Sequence, residues 1–259
     1  MLENFRSVYE FRGFIREHAG QALHARYRGS VLGFLWSFLT PLLVSFCFGF
    51  IFATLNKITI SEYLPYFLAG YVAWQFFAGV SGQATGAIVG NAHFVNRVFV
   101  PRAVFPISLV AVNFVDLLSG LVATLVVILV LVPQKLHLTV LLLPIPILLL
   151  VVFVTGIALL TATINVFFRD FQFIWSTIVF LAFFMTPILF RTETMPEAMR
   201  IANNWNVVYP FIRIFQDLIA NGVIPAPEYL VSATLYAVAS LFIGAATFQR
   251  WERQFYMYV

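Results

Sequence analysis

Few side chains in this sequence could do chemistry, and each sits in a telling place. Arg169 and Asp170 stand side by side in INVFFRDFQFIWS (164–176), with phenylalanine on both flanks. Asp116 lies well inside an apolar run, and Asn113 and Ser119, three residues to either side, share its helix face. Arg213 and Asp217 are four apart, spaced for an i,i+4 pair or for two solubilising charges, and solubilising is the expected role. The histidines (His18, His24, His93, His137) are scattered without HExxH spacing, so no metal site is expected. Cys47, the only cysteine, excludes an internal disulfide, a cysteine-built zinc site and a CxxC redox pair. No GxxxxGK[ST] loop is present, and neither Lys57 nor Lys135 follows a glycine, so the chain is not expected to cradle ATP.

The elements that must hold these residues follow from composition. Of 259 residues, 61% are hydrophobic and 10% charged. A soluble domain is roughly half apolar and a quarter charged. The expected class is therefore an all-α integral membrane protein. The 30 phenylalanines are read as core and interfacial belts, or in part as rings lining a path for an amphipathic substrate, with Phe34, Phe38, Phe180 and Phe184 as candidates. MLENFRSVYEFRGF has interleaved charges and no apolar h-region, so a cleaved signal peptide is not expected. The net charge of +4 is explained by topology, and no nucleic-acid partner is expected.

A crossing needs about 20 mostly apolar residues. Six stretches qualify, near 33–55, 63–83, 105–132, 140–165, 173–190 and 229–249. Pro144 and Pro146 fall in the first turns of the fourth, where a missing N–H costs least. With both termini cytoplasmic, inner segments carry ten Lys/Arg and outer segments five, the bias of the positive-inside rule. Arg169 and Asp170 then fall in a tight cytoplasmic turn between the fourth and fifth crossings, not in lipid. Asp116 remains within a span, where it makes a hydrogen-bonded contact between helices or lines a hydrated path. Lacking a partner acid, His or Lys at that depth, it makes a poor proton relay. Ser45, Ser81 and Ser119 equally lack a His at membrane depth, so no enzyme is expected.

Three segments are neither span nor simple loop. Residues 5–25 form an amphipathic helix, with Val8, Phe11, Ile15, Ala19 and Ala22 on one face, expected to lie in the headgroup plane. Residues 84–104 are too apolar for a solvated loop. A helix at 87–98 would present Ile88, His93, Phe94 and Arg97 to a protein partner. The stretch 191–228 is expected to form one or two short helices dipping into the outer leaflet.

Two motifs carry a resemblance. RYRGSVLGFLWSFLTPLL (26–43) resembles the signature at the first span of ABC-2 type permeases, through Arg26, Tyr27, Ser30, Leu32, Gly33, Trp36 and Pro41. NVFFRDF (165–171) is similar to that family's Asn-x-x-x-Arg-Asp turn, and NAHFVNRVFVPRAVFP (91–106) and TPI (186–188) also fit. Within these permeases the chain is similar to the membrane subunits of bacterial polysaccharide exporters. It departs at VYP (208–210), where an Asn would precede the Pro.

The resemblance implies a single transmembrane domain over 1–259, made of an interface helix (1–30), six spans (31–249) and a cytoplasmic tail (250–259). It implies a homodimer in the bacterial inner membrane, paired with two separate ATPase subunits that hold ATP and Mg, and moving a glycan or lipid-linked glycan. His93, Phe94, Arg97, Arg169 and Asp170 would couple to the ATPase. Arg26, Tyr27, Ser30, Gly33 and Trp36 would form the gate loop before the first span. Trp205, Tyr209, Phe211 and Arg213 would form the outer gate. An exporter of drugs or small lipids, and a proton-coupled transporter using Asp116, are the alternatives.

Overall fold

Proline marks several of the helix boundaries. Pro144 and Pro227 each open a helix at the position where a missing N–H leaves no bond unmade. Thr186, held extended ahead of Pro187, closes another. The computed structural model describes residues 10–56, 59–92, 101–192 and 195–258. Among them the regular structure is helical: α1 (Arg12–Tyr27), α2 (Trp36–Asn56), α3 (Ile60–Thr85), α4 (Val104–Leu131), α5 (Pro144–Phe167), α6 (Phe171–Met185), α7 (Glu197–Asn203), α8 (Tyr209–Gln216), α9 (Pro227–Trp251) and α10 (Phe255–Tyr258).

Among the described residues, four stretches are long and apolar enough to cross a membrane: Gly33–Phe52, Val104–Leu131, Pro144–Phe167 and Pro227–Tyr258. Of the six expected spans, two therefore differ in kind. In α3, 18 of 26 residues are buried. A helix wrapped by protein needs no lipid-like surface and can carry Tyr, Gln and Ser. The fifth stretch ends at Met185 rather than 190, and its 15 residues rise only about 22 Å.

The core is built around α3. Tyr63, Phe67 and Tyr71 stack along it at 5.9 and 5.2 Å, and Phe48 of α2 and Phe183 of α6 close on either side. Phe153 of α5 stacks on Phe211 of α8 at 4.8 Å. Much of the phenylalanine is thus committed to packing. A smaller cluster joins Phe14, Ile88, Phe105, Val166, Phe248 and Phe255, so the chain's two ends share one end of the bundle. Ile88, expected on a partner-facing surface, is fully buried there. An apolar residue at a helix end packs inward whenever neighbouring helices leave it room.

Helices α5 and α9 run in the same sense and touch backbone to backbone. A Cβ on Gly156 would lie 2.2 Å from the Ser240 carbonyl carbon, and one on Gly244 would lie 2.1 Å from the Gly156 oxygen. Small residues substitute in lipid for the hydrophobic drive that lipid cannot supply. Ser240 adds a hydroxyl bond to the Phe153 carbonyl at 3.0 Å.

Of the helix expected over 5–25, Val8 lies outside the described residues and the described part is present as α1, with Phe11, Ile15, Ala19 and Ala22 partly covered and Arg12, Arg16 and Glu17 exposed. It does not lie apart from the bundle. His18 meets Phe105 at 5.6 Å, and Arg26 pairs with Asp116. These contacts are about 12 Å apart on α1 and about 16 Å apart on α4 by helical rise, so the two helices run side by side in one direction. Packing against α4 covers this apolar face only in part, and none of the residues of α1 is buried.

Candidate functional site

The signature before α2 folds into a tight connection that Ser30, Gly29 and Gly33 shape. The Ser30 hydroxyl accepts the Gly33 N–H at 3.1 Å, and Gly29 and Gly33 adopt φ of +78° and +49°. This turn sets the end of α1 beside α3 and α4. Arg26 there donates to Asp116 Oδ2 and, at 3.4 Å, to Gln83 Oε1. Gln83 and Asn113 exchange amide bonds at 3.2 and 3.3 Å, and Asn113 also donates to the Leu109 carbonyl at 2.8 Å. Gly79 makes room for this, since a Cβ there would sit 2.9 Å from Asn113 Oδ1.

Asp116 is thus not a lone acid. Asn113 joins it in the cluster, whereas Ser119 bonds to its own helix through the Val115 carbonyl at 2.9 Å. Arg26, Asn113 and Asp116 border a cavity of about 350 Å³ whose walls include Tyr27, Trp36, Pro41, Tyr71 and Gln75. Burial first, and then the Asp116 carboxylate, push the Tyr27 phenol above its ordinary pKa. Asp116 Oδ1 is buried and accepts no hydrogen bond among the described residues. The site is electrically neutral and rich in amides and rings. It suits contact with hydroxyls or water.

The Arg169–Asp170 turn stands at the same end of the bundle. Phe168, Arg169 and Asp170 are exposed between α5 and α6. Asn165 Oδ1 accepts the Gln172 N–H at 3.1 Å, clamping the turn, and Arg169 donates to the Tyr258 carbonyl at 3.1 Å. His93, Phe94 and Arg97 lie outside the described residues.

At the opposite, distal end, Asn206 replaces the missing Asn of VYP. Its side chain accepts the Val208 N–H at 3.0 Å and donates to the Thr186 hydroxyl at 2.9 Å, setting the start of α8. Of the residues expected at an outer gate, Trp205 is 85% exposed, Tyr209 is buried, and Phe211 is fully enclosed on Phe153. Arg213 and Asp217 do not solubilise a surface. They pair at 3.2 Å with side chains 19% and 5% exposed. Burial works against the Arg213 charge, but the Asp217 carboxylate and nearby tyrosines outweigh it and raise the pKa. The candidate lining rings form two separate pairs: exposed Phe34, in the turn before α2, meets half-buried Phe38 at 5.6 Å, and Phe180 meets Phe184 at 5.3 Å on the exposed side of α6.

Sequence reasoning missed the Arg26–Asp116–Gln83–Asn113 cluster as a unit. Its only trace was the polar face at 113, 116 and 119, because pairing across 90 residues leaves no periodic signal.

Comparison with known proteins adds a second line. The ABC-2 type transporter family matches residues 19–220. An "O-antigen export system permease protein RfbA" of Klebsiella pneumoniae is 29% identical over 235 residues, 90% of either chain. A protein of the same name from Myxococcus xanthus is 28% identical over 257 residues, 98% of either chain.

Proposed function

The chain belongs to the ABC-2 type transporter family, and from that premise we propose that it is the membrane subunit of an ATP-driven exporter of a polysaccharide or lipid-linked glycan. The observation that supports this most is the end-to-end match, at 90–98% of both chains, to permeases named for O-antigen export. In this reading α2, α3, α4, α5, α6 and α9 make six crossings in the bacterial inner membrane, with both termini cytoplasmic. α6 and the tilted ends of its neighbours complete the bilayer thickness.

Two copies assemble, and a separate ATPase pair holds ATP and Mg. The faces available for assembly are on α2 and α6, where Leu43, Phe46, Phe50, Phe173, Phe180 and Leu181 are exposed. Phe34, Phe38, Phe180 and Phe184 border the path between the copies. Sugars carry apolar CH faces that rings accept without trapping them. His93, Phe94, Arg97 and the Arg169–Asp170 turn seat on the ATPase.

Arg26 and Asp116 tie the seated helix α1 to the third crossing. A carboxylate held by a permanent guanidinium charge makes a poor proton carrier, which counts against the proton-coupled alternative. The test is co-expression with the ATPase. Arg169→Ala with Asp170→Ala should lower stimulated ATP turnover at least severalfold without loss of the membrane subunit. Undiminished turnover and export would remove the turn from the coupling surface.

A further inference from the structure

The distal end holds a second cavity, of about 340 Å³, between α7, the start of α8 and the first turns of α9. One wall is aromatic. Tyr229 and Tyr236 both line it from α9, about 10 Å apart by helical rise. Tyr209 meets Tyr229 edge-on at 5.8 Å.

The remaining wall is polar, and its side chains divide by what they already hold. Asn203 donates to the Met185 and Met199 carbonyls at 3.0 and 2.9 Å, and Asn206 to the Thr186 hydroxyl, so these two keep the wall in shape. Arg200, Asn204 and Glu228 are exposed at the cavity. Their side chains enter no ion pair or hydrogen bond among the described residues.

The opposite charges of Arg200 and Glu228 leave the site without net charge. An acyl chain would strand this polar wall, and an anion would face Glu228. A neutral sugar meets both walls, because its rings are apolar on the faces and hydroxylated at the edges. The faces suit the tyrosine rings, and the edge hydroxyls suit a guanidinium, an amide and a carboxylate. We infer that this cavity is a subsite for one or two neutral sugar rings of the transported glycan on the distal side of the membrane. The inference rests on the export reading above.

The experiment uses the permease–ATPase complex in lipid nanodiscs, titrated with oligosaccharides released from the surface polysaccharide of the strain that encodes the chain. Saturation-transfer NMR reads the sugar CH protons that touch aromatic rings. The intact complex should give a saturable signal. Tyr236→Ala should weaken binding about tenfold, while Tyr236→Phe, which keeps the ring, stays within about twofold. Glu228→Gln is an exposed change that leaves the fold intact, and it should weaken binding severalfold through one lost charged hydrogen bond.

The subsite is overturned by an absent or non-saturable signal, by variants that bind like the intact complex, or by displacement with glycerol phosphate instead of sugar. A parallel assay separates the two readings. If the chain restores surface polysaccharide to a deletion strain and yet binds no oligosaccharide, the subsite alone fails. If it restores none, the export reading fails.

Discussion

Two arginine–aspartate pairs among the described residues are made of the same groups and built for different work. Arg213 and Asp217 are one turn apart, mostly buried, and anchored again by Asn221 on Asp217 at 2.8 Å. Arg26 and Asp116 come from helices 90 residues apart, with side chains 33% and 28% exposed. The first pair persists in any arrangement of the bundle, because both partners ride on one segment. The second exists only while α1 lies along α4. A local, buried pair fixes a shape, and a distant, half-wet pair reports whether two elements are together.

Breaking each pair tests that contrast. Asp217→Ala removes a carboxylate from a largely buried guanidinium, and thermal unfolding should show a loss of about 3 kcal/mol. Arg26→Ala should cost about 1 kcal/mol or less, as half-exposed pairs do, yet reduce export severalfold. The contrast collapses if the two substitutions destabilise alike, or if Arg26→Ala exports normally.

The smallest effect concerns salt. At about 1 M the Debye length falls to about 3 Å. In a Cys47→Ser background, Thr40→Cys in the Arg26–Asp116 cavity should then react about twofold faster with an aqueous thiol reagent. A cysteine at Thr192, beside the outer pair, should be indifferent. Equal responses would show that both pairs open with similar ease.

Much of the fold was legible in the chain. Long apolar runs, with Pro144 and Pro146 at the start of the fourth, placed most of the long helices to within a few residues, whereas the stop at Thr186–Pro187 went unread. The helix stripe at 11, 15, 19 and 22 placed α1, and RD between two apolar runs placed the 168–170 turn. The orientation of α1 was not legible. An apolar stripe says that something covers it, and lipid and α4 leave the same pattern.

The central position of α3 was equally hidden, since burial by protein permits polar residues that hydropathy counts against a span. Ile88 illustrates the limit at one residue. Its spacing allowed a surface position, and only the third dimension offered it the pocket beside Phe105 and Phe248. The buried setting of Arg213–Asp217 was lost for the same reason, because an i,i+4 spacing is common to solvent-facing and enclosed pairs.

The contact between Gly156 and Gly244 has a mechanical consequence. Two parallel helices whose backbones touch bend less than either alone, and close-packed matter transmits strain with little compression. From the Phe153–Phe211 contact down to the exposed turn at 168–170, α5 rises about 22 Å. α9 lies alongside, and α10 after it supplies the Tyr258 carbonyl that Arg169 grips. A tilt imposed at that turn is therefore delivered at the far end as a displacement of α8, as by a stiff strut rather than a spring.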